Sequence, residues 1–283
     1  MIKASFLTFL ALLVFAGNSI LTRLALGGEA IDAASFTAIR ISAGAVFLLL
    51  IVLLKMPKTA VLNYGSWPAA LCLFIYAATF SLAYLSLDTG LGALILFGCV
   101  QVTLIIASII KGSKLEIKEW AGFTIALLGL TILLLPGTSA PPLSGFFLML
   151  IAGVSWGGYT LCGKGSTTPL FDTTGNFIKA LPMAAIMLLI FIEEIALSNT
   201  GIALAIVSGA ITSGLGYAIW YAALREITVT QAAIFQLLVP IIATIAGITL
   251  TNESITTNFV ISSALILGGI FLFVSVPAAK RTS

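Results

Sequence analysis

Apolar residues run along this chain in ten long blocks separated by short polar breaks. The blocks cover 5–26, 33–54, 67–87, 91–110, 119–136, 143–164, 174–194, 202–223, 229–250 and 257–276. A spanning helix needs about 20 mostly apolar residues, and each block is near that length. None shows the alternating apolar–polar dyads of a membrane barrel. Helices and closed barrels are the only structures that satisfy the backbone in lipid. The pattern therefore predicts an all-α polytopic membrane protein with ten transmembrane helices.

The blocks also repeat. Phe15-Ala16-Gly17-Asn18-Ser19-Ile20-Leu21-Thr22-Arg23 is echoed by Trp156-Gly157-Gly158-Tyr159-Thr160-Leu161-Cys162-Gly163-Lys164. Thr37 and Arg40 match Asn176 and Lys179, Phe80 and Tyr84 match Tyr217 and Tyr221, and Gln101 falls opposite Pro240. Leu115-Glu116-Ile117 resembles the run from Asn252 to Ile255. Two units follow, 1–137 and 142–283, joined by a proline-containing turn at 137–142. Each holds five spans. Five is odd, so the second copy enters the membrane from the opposite face, giving two inverted five-helix repeats. That architecture implies a carrier with its cargo seat between the halves.

Charge sets the orientation. Charged residues make up 8% of the chain and hydrophobic residues 60%, with mean hydropathy +1.20; soluble domains carry about 25% charged residues. With the N-terminus inside, the cytoplasmic breaks hold Lys3, Lys55, Lys58, Lys111, Lys114, Lys118, Lys164, Arg225, Lys280 and Arg281. The outer breaks hold only Arg23. Lys and Arg collect on the cytoplasmic side, so both termini are expected there, in the plasma (inner) membrane. Trp67 and Trp120 then anchor at the cytoplasmic interface. The net charge of +3 reflects this bias and not nucleic-acid binding. The first block reads as a retained span, because signal cleavage after Ala16 would cut the repeated segment. Cys72, Cys99 and Cys162 lie inside blocks and read as small buried residues. The chain has no histidine, which removes His-ligated metals, Ser–His dyads and histidine proton shuttles. No cofactor is implied.

Ten spans, Phe15-Ala16-Gly17-Asn18, Ala38-Ile39-Arg40 and the Glu253 turn before the Gly268-Gly269 block make the chain resemble the EamA-type members of the drug/metabolite transporter superfamily. The resemblance covers nearly the whole chain. It implies a carrier or exporter of small metabolites, such as amino acids, working by alternating access. The related small multidrug-resistance proteins couple protons through a glutamate in their first helix; this chain's first block contains no acid.

Arg40 and Lys179 lie within blocks, away from their ends. A charge within a span costs about 2.5–3.5 kcal/mol on insertion scales and defaults to a functional hypothesis. Both lie about 9 Å into their helices at 1.5 Å per residue. One reading makes them paired cationic sites for a substrate carboxylate. The favoured one makes them snorkel or pair with Asp32 and Asp172 nearby in sequence. Asn18, Gln101 and Gln236 are amides in apolar helices and need partners. Phe97 shares a helix face with Gln101, and Trp156 with Tyr159. A cavity is the favoured setting for Asn18, Gln101, Trp156 and Tyr159. Packing is favoured for the stripes Phe80/Tyr84 and Tyr217/Tyr221, and interface anchoring for Trp220. The candidate substrate-binding set is Asn18, Arg40, Tyr84, Phe97, Gln101, Trp156, Tyr159, Lys179, Tyr217 and Gln236. The glycines of blocks 6, 8 and 10 read as close-packing positions.

Every acid sits at a block end or in a break, so weak or absent proton coupling is expected. An enzyme is disfavoured by the missing histidine and mid-helix aspartates. A channel is disfavoured because channels commonly build rings of one charge from identical subunits, and an internally duplicated chain has no need of such a ring. A flippase for lipid-linked or amphipathic substrates is the alternative on the same fold. The reading is a small-molecule secondary transporter in contact with membrane lipid, as a monomer or weak homodimer. Blocks 1, 3 and 4 with 6, 8 and 9 should face the cavity, and blocks 5 and 10 should be peripheral.

Overall fold

A computed structural model describes residues 2–55, 63–110, 112, 115–133, 141–225 and 235–275. Ten long helices lie among them. They are α1 (Ile2–Leu26), α2 (Ala33–Lys55), α3 (Trp67–Ala83), α4 (Thr89–Ile110) and α5 (Ile117–Leu133), followed by α6 (Leu143–Gly163), α7 (Pro169–Ile190), α8 (Asn199–Leu224), α9 (Leu238–Thr251) and α10 (Thr257–Val274). Six of these, α1, α2, α4, α6, α7 and α8, are long and apolar enough to cross a membrane, and α3, α9 and most of α10 are shorter apolar helices. Leucines and isoleucines stay exposed on several outer faces, among them Leu50, Leu54, Ile110, Leu189 and Ile245. An apolar exterior of this kind needs lipid around it. The chain is an all-α polytopic membrane protein.

Local chemistry sets the helix ends. Ser66, Ser198 and Thr256 each accept from a backbone N–H one turn ahead, at Ala69, Gly201 and Phe259. Pro169 opens α7, where its missing N–H costs nothing. That moves α7 earlier than the expected 174–194, and Glu193 and Glu194 form a short 3-10 turn after it. Asn252, in the left-handed region (φ 53°), closes α9. The described part of α9 begins later than the expected 229, and residues 229–234 lie outside the described residues, as does most of the 137–142 turn.

The helix α8 departs most from expectation. Its middle, Ser208–Leu215, is a π-helix, and the Gly216 N–H reaches back to the Ile211 carbonyl. Such wide turns are rare and gather at functional sites. Here the backbones of α2 and α8 meet: a Cβ on Gly209 would strike the Arg40 carbonyl.

The packing separates a centre from an edge. Helix α3 packs on α6, α2 on α7 and on the middle of α8, α4 on α6 and α9, and α1 on α8 and α9. Helices α5 and α10 pack mainly on each other, through Gly122 and Gly269, with α4 behind them. The large core joins α1 to α4 with α6 to α9. Trp67 and Trp120 are exposed.

Candidate functional site

Arg40 is the centre of the molecule. It is 1% exposed, and it is not snorkelling. Its Nε donates to the Ser213 hydroxyl at 2.8 Å, and its Nη2 to the hydroxyls of Tyr217 at 2.8 Å and Tyr76 at 3.2 Å. The guanidinium carbon stands 5.3 Å from the Tyr76 ring centre and 5.2 Å from that of Phe80. Nη1 has no hydrogen-bond partner. The expected pairing with Asp32 does not form. Asp32 instead accepts from the backbone N–H groups of Ser35 and Ala196. Among the described residues no carboxylate lies within 4 Å of Arg40. A buried charge is tolerated only when paired or well hydrogen-bonded. Here hydroxyls and ring faces do that work.

A polar chain extends from the guanidinium. Tyr217 donates to Tyr76 at 3.2 Å, and Asn18 Nδ2 donates to Tyr76 at 3.1 Å. Asn18 Oδ1 accepts from Ser208 at 2.8 Å and Thr212 at 3.1 Å. Ser208, Thr212 and Ser213, which join this network from α8, lie on the π segment, and Tyr217 follows just after it.

Aromatic rings close around the network. Trp156 lies 4.6 Å from Tyr217, 4.9 Å from Tyr76 and 5.4 Å from Phe15, centre to centre. Phe15 also meets Phe97 and Trp220. Tyr159 packs on Trp156 and stacks on Tyr221. Phe177 of α7 reaches Tyr217. The indole nitrogens of Trp156 and Trp220 have no hydrogen-bond partner.

Six of the ten candidate residues thus come together: Asn18, Arg40, Phe97, Trp156, Tyr159 and Tyr217. Four do not. Tyr84 is buried towards the α3–α4 turn and donates to the Thr89 carbonyl. Gln101 is buried one turn along α4 from Phe97, and Gln236 just ahead of α9; neither bonds to Arg40. Lys179 is half-buried and donates to the Tyr64 carbonyl before α3. Two further expectations need correcting. Trp220 is no interface anchor, being fully buried against Phe15. Helices α2 and α7 enter the centre through Arg40 and Phe177, although blocks 1, 3, 4, 6, 8 and 9 were expected to line it. Tyr76 and Ser213, the partners missed, were within reach: each lies one turn before a repeated stripe, Phe80/Tyr84 or Tyr217/Tyr221.

Two cavities flank the cluster. One, of about 310 Å³, is lined by Ser66, Lys164, Ser166, Asp172, Asn176 and Tyr221. Two of its lining residues touch the cluster: Asn176 approaches the Tyr159 hydroxyl at 3.5 Å and Tyr221 donates to the Tyr159 carbonyl. The other, of about 250 Å³, is lined by Asp88, Pro142, Thr244, Glu253 and neighbours. At its edge Arg23 meets Asp88 at 3.3 Å and Glu253 at 3.8 Å. Glu253 caps α4, accepting from the Thr89 N–H and hydroxyl. Partial burial and the nearby Glu253 push the Asp88 carboxyl above its usual range, against the pull of Arg23.

Residues 143–275 match the EamA-like transporter family. An uncharacterized protein of Pseudomonas aeruginosa is 48% identical over 269 residues, 95% of this chain and 93% of its own. A probable amino-acid metabolite efflux pump of Salmonella typhimurium is 24% identical over 81% of each chain, and one of Escherichia coli is 22% identical over 77% of each. A protein crystal structure of 17% identity superposes on 99% of this chain and 98% of its own with a TM-score of 0.68, so the fold is shared. A lipid-embedded bundle, buried polar contacts at its centre and these relatives agree: the chain belongs to the EamA-like transporter family and is a membrane transporter of small molecules.

Proposed function

We propose that this protein is a secondary exporter of small, partly apolar metabolites, amino acids or aromatic compounds among them. It works by alternating access of two inverted halves, 1–137 and 142–283, in the plasma (inner) membrane with both termini cytoplasmic. One observation carries the reading: the buried Arg40 of the first half is held by Tyr76 of its own half and by Ser213 and Tyr217 of the other. A cargo seated there touches both halves at once.

The packing supports the inverted repeat. Exchanging α1–α5 with α6–α10 turns the α3–α6 contact into α8–α1, α4–α6 into α9–α1, and α3–α7 into α8–α2, and all of these pairs are packed. The pairs α2–α7, α4–α9 and α5–α10 map onto themselves, as a two-fold requires. The acids follow the same rule. Asp32, just before α2, accepts from the Ala196 N–H ahead of α8, and Asp172, in the first turn of α7, accepts from the Gly65 N–H ahead of α3. With five spans per half, such a two-fold lies in the membrane plane. The relatives named as amino-acid metabolite efflux pumps favour export and suggest the cargo class. The cytoplasmic cavity at Lys164 and Asn176 is then the loading side.

Counterflow in proteoliposomes tests this. Vesicles preloaded with a mixture of unlabelled amino acids and aromatic acids should take up labelled members of that mixture transiently and saturably. Arg40→Gln should abolish the exchange while the protein still folds as a monodisperse species. Flux linear in concentration, or full exchange by Arg40→Gln, would contradict the proposal.

A further inference from the structure

The central cluster is unbalanced in charge and in hydrogen bonding, in the same direction. Arg40 carries the one formal charge of its network, and among the described residues no carboxylate stands within 4 Å. Its Nη1 is a buried donor without an acceptor, and so are the indole nitrogens of Trp156 and Trp220 in the same ring cluster. The acceptors are engaged already: Asn18 Oδ1 takes Ser208 and Thr212, and the Tyr76 hydroxyl takes Asn18 and Arg40. Buried donors are normally satisfied, and a buried charge is normally paired. What the cluster lacks is an occupant with spare acceptors, one negative charge and a body able to lie among rings.

Resting on the exporter reading above, we infer that the preferred cargo is a monoanionic carboxylate with an aromatic or bulky apolar body and no ammonium group. A carboxylate on the free Nη1 of Arg40 neutralises the site. A zwitterionic amino acid of the same shape brings an ammonium beside the guanidinium, where no carboxylate receives it and like charges repel. Specificity then comes from the charge that the site cannot accommodate as much as from the one it binds.

The approach has the same sign. The loading cavity carries Lys164 at its wall, and Lys179 lies one turn along α7 from Asn176, which lines it. Asp172, the acid there, is occupied by the Gly65 N–H and by the Ser166 and Thr168 hydroxyls. Past Asn176 and Tyr159 the next ring is Trp156. An anion entering this cavity meets cations first and then the donors of the cluster. The cavity, at about 310 Å³, is the size of a small-molecule pocket.

Four compounds of one shape test the inference: 3-phenylpropionate, L-phenylalanine, phenethylamine and 3-phenylpropanamide. Each is assayed on the purified full chain by thermal unfolding and in proteoliposomes by counterflow. The expected result is that 3-phenylpropionate raises the unfolding temperature and exchanges with at least tenfold higher apparent affinity than phenylalanine. The amine and the amide should do neither. Arg40→Gln should erase the thermal shift given by 3-phenylpropionate, and Arg40→Lys, which keeps the charge, should retain part of it. Phenylalanine binding as well as 3-phenylpropionate, or a thermal shift that survives in Arg40→Gln, overturns the inference. Saturable exchange of phenylalanine alone overturns it while leaving the exporter reading standing. The absence of saturable exchange for all four compounds, and for the amino-acid mixture, removes both.

Discussion

Under the proposed two-fold, Arg40 and Lys179 stand at matching positions, and their surroundings differ completely. Arg40 reaches α8, which offers the hydroxyls of Ser213 and Tyr217. The positions of α3 that match these two are Tyr76 and Phe80, and Phe80 has no hydroxyl. Lys179 turns to the Tyr64 carbonyl ahead of α3, near the cavity lined by Lys164 and Asn176. A planar guanidinium can fork between several acceptors, whereas an ammonium is a compact, strongly hydrated charge that favours the wetter end. The neighbouring helix decided which of them became central.

Four experiments break or sharpen this contrast. The largest effect is expected from neutralising the two cations one at a time. Arg40→Gln should abolish counterflow and Lys179→Gln should reduce it only a few-fold, through loading, as measured by initial rates against cargo concentration. Equal losses would dissolve the distinction.

Next is Tyr217→Phe, which makes α8 resemble α3 at the matching position. Losing one hydrogen bond to a buried charge costs about 1.5–3 kcal/mol. Cargo affinity should fall by roughly tenfold or more on the conversion of 1.4 kcal/mol per decade. Phe80→Tyr, the reverse change around the other copy, should leave affinity within a few-fold.

A third test concerns the edge of the fold. A side chain at Gly122 would meet the Gly269 carbonyl at 2.5 Å and the Phe273 nitrogen at 2.7 Å. Gly122→Leu should therefore separate α5 from α10 and lower stability by about 1–3 kcal/mol, as overpacking does. Cargo affinity in the surviving folded protein should be unchanged, because the pair stands away from Arg40. Chemical-denaturation and binding curves on the same sample check both halves of the statement.

The smallest effect is a pH dependence at the cavity lined by Asp88 and Glu253. Asp88 is raised first by burial and then by Glu253. A carboxyl whose folded pKa exceeds its unfolded value holds its proton more tightly when folded. Its contribution to stability is therefore largest at low pH and declines as pH rises from the ordinary aspartate value of about 4 through the raised one. Asp88→Asn, which cannot ionise, should flatten that part of an unfolding-temperature profile. An unchanged profile would show that Arg23 compensates Asp88 fully.

Much of the fold was legible in the sequence because lipid imposes long apolar blocks, and ten of them stand out. The six central candidates were legible for a related reason: an amide, a cation or a paired aromatic face inside such a block has few places to go. The burial of Arg40 was missed because proximity in sequence made Asp32 the obvious partner, while the true partners lie on other helices, up to 177 residues away. The π segment was hidden because Gly209, Gly214 and Gly216 also suit plain close packing. Pro169, opening α7, shifted that helix without changing its apolar pattern.

Side-specific labelling tests the opposed arrangement of the two copies most directly. With Cys72, Cys99 and Cys162 replaced by alanine, single cysteines are placed at positions 23 and 164 and treated with a membrane-impermeant thiol reagent on right-side-out cells and on inverted vesicles. Labelling of position 23 from the outside alone and of position 164 from the cytoplasmic side alone is the predicted result. Labelling of both from one common side would contradict the account.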